Sequence, residues 1–259
     1  MNEPNNNAKV AWVTGASQGI GAAVAWRLAA DGWTVAASAR SAEKLEALSD
    51  EAESLPGSII AFELDVTDPE ASAQVFADIE SRLGPVDLAI LNAGTHQPID
   101  GAEFAVEPVR KLVEVNLMGT VHCLAPVIDA FVSREAGRIV VVASLAGYRG
   151  LPTSSGYGAS KAGLINMCEA LRPELAARNV RMFCITPGFV KTPLTDKNPF
   201  PMPFLIDAET AAARIVRGVD GRGFEITFPR RFAYIMKCLR ILPYALYFAL
   251  IRRTVPRRD

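Results

Sequence analysis

What most constrains this chain is an alternation that runs along nearly all of it. Short apolar runs at residues 10–13, 34–39, 59–64, 87–91, 138–143 and 180–185 are separated by stretches with helical spacing, ending at Ala30 and then at 43–54, 69–83, 106–132 and 157–177. A strand that is apolar at nearly every position must be covered on both faces, and strands running the same way need crossovers, which helices supply. The pattern predicts an α/β protein with a Rossmann-like, doubly wound parallel sheet. No repeat or linker divides residues 1–228, which read as one domain, with residues 229–259 as an appended amphipathic tail.

Composition narrows the function classes. Half of the 259 residues are apolar, and 27 Lys and Arg nearly balance 28 Asp and Glu, a profile that excludes disordered, collagenous and nucleic-acid-coating chains. The balance hides an asymmetry: residues 229–259 hold eight basic residues against Asp259 alone, a net +7, leaving −8 on residues 1–228. Cys123, Cys168, Cys184 and Cys238 lack metal or disulfide spacing and read as buried thiols in a reducing, cytoplasmic setting. With His96 and His122 as the only histidines, no metal site is expected. The polar start lacks the apolar core of an export signal, and no run reaches the roughly 18 uninterrupted apolar residues of a spanning helix.

Directly after the first strand comes Thr14-Gly15-Ala16-Ser17-Gln18-Gly19-Ile20-Gly21, and a helix follows. Glycines there let a pyrophosphate approach the backbone, and the helix N-terminus offers free N–H groups and a positive dipole end. Asn92-Ala93-Gly94 closes the fourth strand, Asn116 lies in the next helix, and Ser144 ends the fifth strand. Tyr157 and Lys161, four apart, share one helical face, and Pro187-Gly188 follows the sixth strand. In this order and spacing the segments resemble the short-chain dehydrogenase/reductase family over residues 8–228.

That resemblance implies a catalytic set of Asn116, Ser144, Tyr157 and Lys161. Tyr157 is then the acid/base, its phenolate favoured by Lys161 and by an oxidised nicotinamide. Ser144 donates a hydrogen bond to the substrate oxygen, Lys161 also holds the nicotinamide ribose, and Asn116 anchors a water leading to solvent. The implied cofactor contacts are Gly15, Ser17, Gln18, Gly19, Ile20 and Gly21 in the loop and Arg40 after the second strand. Asp65 and Val66 follow at the adenine, Asn92, Ala93 and Gly94 at the fourth strand, then Tyr157 and Lys161, and Pro187, Gly188, Val190 and Thr192 around the nicotinamide amide. No acid lies between Trp33 and Ala42 to accept from a ribose 2′-hydroxyl, and Arg40 stands where relatives that use NADP keep a base, whereas Gln18, at the family's second basic position, is neutral. The expected cofactor is NADP(H).

Residues 193–206 correspond to the family's substrate loop; the segment is proline-stiffened and apolar, suited to a lipophilic ketone or secondary alcohol. In the tail, Phe232, Ile235, Met236, Leu239 and Leu242 form a helical stripe among basic residues. Three placements are open for it: an anionic membrane surface, the chain's own body or a dimer partner, and the rim of the active site. The expected protein is an NADP-dependent oxidoreductase, a homodimer or homotetramer at the cytoplasmic face. The alternative is a non-catalytic nucleotide-binding scaffold or redox sensor docked to membrane by its tail.

Overall fold

A computed structural model describes residues 9–196 and 202–255. Seven parallel strands form one sheet in the order β3-β2-β1-β4-β5-β6-β7. They are β1 (Val10–Thr14), β2 (Thr34–Ala39), β3 (Ser58–Glu63), β4 (Val86–Leu91), β5 (Arg138–Val142), β6 (Arg181–Pro187) and β7 (Glu225–Phe228). The helices are α1 (Gly19–Ala30), α2 (Ala42–Glu51), α3 (Pro69–Leu83), α4 (Val106–Val113), α5 (Gly119–Ser133), α6 (Ser155–Ala176), α7 (Ala208–Val219), α8 (Arg230–Ile241) and α9 (Tyr244–Ile251).

The sheet separates two apolar cores, as its doubly apolar strands require. One side gathers Trp12, Leu91, Val127, Phe131, Ile139 and Leu164, and the other Val13, Leu28, Val35, Ile90, Phe183 and Ile215. Trp12 is fully buried, and its indole N–H is satisfied by the Ser38 hydroxyl at 2.9 Å on the neighbouring strand. The strand order reverses between β1 and β4, opening a crevice at the carboxyl ends of the strands, where a doubly wound sheet binds its ligand.

Three features depart from the sequence reading. The region 206–228 adds α7 and β7, an edge strand too short and too polar to register as an apolar run. Residues Val106–Ser133 form one long helical stretch apolar enough to cross a membrane by length and composition. Here it is a core element, burying Leu112, Leu124, Val127 and Phe131. Finally, Cys238 is exposed on α8, whereas the other three cysteines are buried, and all four are free thiols.

Candidate active site

The crevice is built around Thr14. Its buried hydroxyl accepts from both Asn92 N and Ala93 N, at 3.0 and 3.1 Å. The Asn92 carboxamide donates back to Thr14 O and Gly15 O, at 3.1 and 3.2 Å. These four bonds fix the glycine loop to the end of β4. Gly15 adopts a left-handed φ of 66°, and a Cβ on Gly21 would lie 2.3 Å from Gly15 O, so the loop folds tightly onto the first turn of α1. That turn carries no acid and no side-chain cap, which leaves a positive helix end facing the crevice. This cradle fits a dinucleotide pyrophosphate, with Ser17, Gln18, Gly19 and Ile20 along its rim.

Arg40 follows β2 with its side chain largely exposed, 4.0 Å from the Asp65 carboxylate. Burial pushes Asp65 up, but the Thr67 N–H and hydroxyl, together with Arg40, hold it below the ordinary carboxylate value. A second cation escaped the sequence reading: Lys44, on the first turn of α2, reaches the Gln18 side chain at 3.4 Å. Its signal was its place four residues after Arg40. The neutral Gln18 position thus has an ammonium beside it. Val66 is buried, and its carbonyl meets the His122 ring at 2.9 Å.

The four catalytic candidates converge across the crevice. Asn116 lies in a π-helical turn, Glu114–Met118, an irregularity that re-aims side chains and recurs at functional sites. It is fully buried, and its carboxamide is spent: Oδ1 accepts from Thr95 N at 2.7 Å, while Nδ2 donates to Thr95 O and to Ser160 Oγ, at 3.0 and 3.1 Å. Ser160 in turn donates to the Tyr157 carbonyl at 2.8 Å. Asn116 therefore ties the segment after Gly94 to the turn of α6 that carries the tyrosine. A Cβ on Gly94 would lie 3.3 Å from Asn116 Oδ1 and 3.5 Å from Lys161 Nζ, so these three positions adjoin.

Ser144 caps the short turn after β5, accepting from Ala146 N at 3.1 Å and donating to Pro187 O at 3.5 Å, and its hydroxyl lies beside the Tyr157 phenol. Lys161 is buried, and its ammonium donates to Val142 O at 2.8 Å. Burial pushes Lys161 down to about 8. Burial also raises Tyr157 above its ordinary value, and the neighbouring Ser144 hydroxyl only partly offsets this. The expected lowering by Lys161 is absent: its nitrogen sits 5.8 Å from the Tyr157 ring centre and is directed at a backbone carbonyl. His96, not singled out from sequence, packs edge-on against Tyr157 with ring centres 4.7 Å apart. Only its place two residues beyond Gly94 could have drawn attention to it.

The far wall comes from the segment after β6. Gly188 N donates to Phe228 O at 2.7 Å, Val190 is buried and bridges to Ile206, and Thr192 lies 3.0 Å from the Cβ position of Gly19. Phe232 of α8 stacks on Phe189 at 5.5 Å and lies 6.2 Å from Phe204. Of the loop 193–206, residues 197–201 lie outside the described residues. The tail therefore forms part of the rim, and α8 also packs on the body through buried Ala233 and Met236. Two members of the anticipated stripe do not join it: Ile235 is about half exposed, and Leu242 falls beyond the end of α8.

A family profile described as short chain dehydrogenase matches residues 9–200. An uncharacterized oxidoreductase of Myxococcus xanthus is 38% identical over 245 residues, spanning 95% of this chain and 97% of that protein. The 3-oxoacyl-[acyl-carrier-protein] reductase FabG of Thermotoga maritima is 36% identical, over 84% of this chain and 87% of its own. Among solved structures, an alcohol dehydrogenase from Thermococcus sibiricus, complexed with 5-hydroxy-NADP, superposes with a TM-score of 0.78 at 29% identity, covering 86% of this chain and 96% of that one. The chain belongs to the short-chain dehydrogenase/reductase family. It is an oxidoreductase of the CH–OH/C=O type that works with a nicotinamide nucleotide.

The buried lysine gives the site a measurable signature. An unfolded lysine keeps its proton to about pH 10.4, whereas native Lys161 releases it near 8. Between pH 7 and 9.5 the unfolded state binds more protons, so the contribution of Lys161 to stability rises with pH by about 2 kcal/mol. Urea unfolding of wild type and Lys161→Met at both pH values isolates this: wild type gains that amount relative to the variant. A difference that does not move with pH would place the ammonium in solvent.

Proposed function

We propose that the chain is an NADP(H)-dependent oxidoreductase of a lipophilic ketone or secondary alcohol, with Tyr157 as its acid/base. The observation that carries the reading is the convergence of Tyr157, Ser144 and Lys161 opposite the glycine-loop cradle. When bound, the nicotinamide supplies or accepts the hydride. Tyr157 gives its phenolic proton to the oxygen that becomes an alkoxide, and takes it back in the oxidative direction. Ser144 donates a hydrogen bond to the same oxygen. Lys161 holds the ribose hydroxyls, and Asn116, its carboxamide spent within the protein rather than on a water, fixes the turn of α6 that carries Tyr157 through Ser160. Burial keeps Tyr157 protonated at neutral pH, which suits carbonyl reduction.

Arg40 and Lys44 support the phosphorylated cofactor, since two cations flank the place of the ribose and no acid competes between Trp33 and Ala42. The lipophilic substrate is supported by the rim, where Phe232 stacks on Phe189 and meets Phe204 at a tilt. The cofactor contacts are those of the family pattern, from Gly15 to Thr192. The working form is a cytoplasmic homo-oligomer paired through the helices that carry Asn116 and Lys161, with residues 1–228 as the catalytic domain.

Tyr157→Phe removes the proton carrier and leaves the cradle intact. The expected result is a loss of at least 100-fold in turnover of a ketone panel with NADPH, with cofactor affinity by fluorescence titration changed less than about threefold. Turnover above about a hundredth of wild type would assign the proton to another group.

Arg40→Asp replaces a phosphate partner with a carboxylate that accepts from a ribose hydroxyl and repels the phosphate. The ratio of kcat/KM for NADPH over NADH should fall about 100-fold, equivalent to about 2.7 kcal/mol. An unchanged ratio would make Arg40 a solvated surface cation and NADP the wrong assignment.

A further inference from the structure

The eight residues of α9, Tyr-Ala-Leu-Tyr-Phe-Ala-Leu-Ile, include no polar side chain beyond the two phenols. A helix of this composition belongs in a core, yet only Tyr247 is buried; Tyr244, Leu246, Phe248 and Leu250 are each about half exposed or more. Its orientation is fixed by the body and is not that of a fraying end. The Arg149 guanidinium donates to Arg240 O and Leu242 O, at 3.1 and 3.3 Å, and lies over the Tyr244 and Tyr247 rings, at 4.5 and 4.4 Å. Tyr247 also donates its hydroxyl to Gly150 O. The fold thus holds one tyrosine inward and keeps the rest of an apolar helix outside.

The charges around α9 say what that face meets. From Pro229 to Arg258 the sequence contains no acid. Arg230, Arg231, Arg240, Arg252 and Arg253 are all exposed. Of the tail's described cations, Lys237 alone is ion-paired to a carboxylate among the described residues, with Glu225. The acidic body therefore leaves most of the tail's positive charge uncompensated. An exposed apolar helix ringed by arginines, on a molecule whose other residues sum to −8, has the polarity of a protein that meets an anionic surface tail first. Eight residues rise only about 12 Å, too short to span a bilayer and suited to lying in its interface.

We propose that α9, flanked by the arginines of α8 and of the segment after Ile251, is a docking surface for an anionic phospholipid bilayer. Leu246, Phe248 and Leu250 enter the interface, Tyr244 sits at headgroup level, and the guanidinium groups engage the lipid phosphates. This goes beyond the hydride chemistry and does not depend on it. The proposal is tested on the full chain without substrate, by co-sedimentation with vesicles of phosphatidylcholine alone or with 30% phosphatidylglycerol. The expected result is binding to the anionic vesicles at least tenfold tighter than to neutral ones, weakened by 0.5 M NaCl. The double variant Leu246→Glu/Phe248→Glu should lose at least tenfold in vesicle affinity, with its gel-filtration mass and its NADPH affinity unchanged. Arg252→Glu/Arg253→Glu should lose the preference for anionic lipid while keeping the same mass. Wild type that stays in the supernatant with anionic vesicles overturns the proposal. So does a fall in oligomer mass for the Leu246/Phe248 variant, which would assign the face to a second copy of the chain.

Discussion

The site depends first on the junction between β1 and β4. Parallel strands on either side of the reversal diverge at their carboxyl ends, so the crevice exists only if something holds the two chain exits at a fixed separation. The Thr14 hydroxyl does this by accepting two backbone N–H groups from the end of β4, while Asn92 answers with its carboxamide to the glycine loop. All of these groups are at least partly buried, so leaving any one unpaired would cost about 1–3 kcal/mol of desolvation. The glycine loop and the segment from Asn92 to Gly94 are thus one structural unit, although nearly eighty residues separate them.

A second unit crosses the sheet from this one. The carboxamide of Asn116 connects Thr95 to Ser160, and Ser160 connects to the carbonyl of Tyr157. Lys161 connects the same helix to the end of β5 through Val142 O. The turn that carries Tyr157 and the Lys161 ammonium are therefore held by hydrogen bonds internal to the protein, the support that preorganised sites require. The upward displacement of Tyr157 and the downward displacement of Lys161 have one origin, since burial penalises phenolate and ammonium alike.

Much of this was legible in the sequence, for definable reasons. The six long strands are apolar on both faces, a pattern few other folds tolerate, and the glycine loop, Asn116, Ser144, Tyr157 and Lys161 fall at their expected strand ends and helix turns. What stayed hidden was set by tertiary contact. β7 is four residues with two polar side chains, held by its pairing with β6. Lys44 reaches Gln18 only because α2 folds back beside the glycine loop. The direction of the Tyr157 displacement is set by burial, and a four-residue spacing fixes the face of a helix but neither that burial nor the partner of an ammonium. Of the tail stripe, Met236 is buried and Ile235, inside α8, is half exposed, while Leu242 falls outside the helix because Pro243 ends it there.

The tail also packs against the loop that follows Ser144. Residues 145–154 join Ser144 to the start of α6, and three consecutive positions in that stretch are gripped from the C-terminal side. Tyr148 donates to Glu225, which is ion-paired with Lys237 of α8. Arg149 caps the carbonyl end of α8, and Gly150 O accepts from Tyr247 of α9. Burial raises the Tyr148 phenol, and the Glu225 carboxylate raises it further, so the tyrosine remains a donor to that carboxylate. The loop between Ser144 and Tyr157 is thus held on one side by the sheet and on the other by the last two helices. The helices α8 and α9 and the loop that follows Ser144 are joined through Tyr148, Arg149 and Gly150.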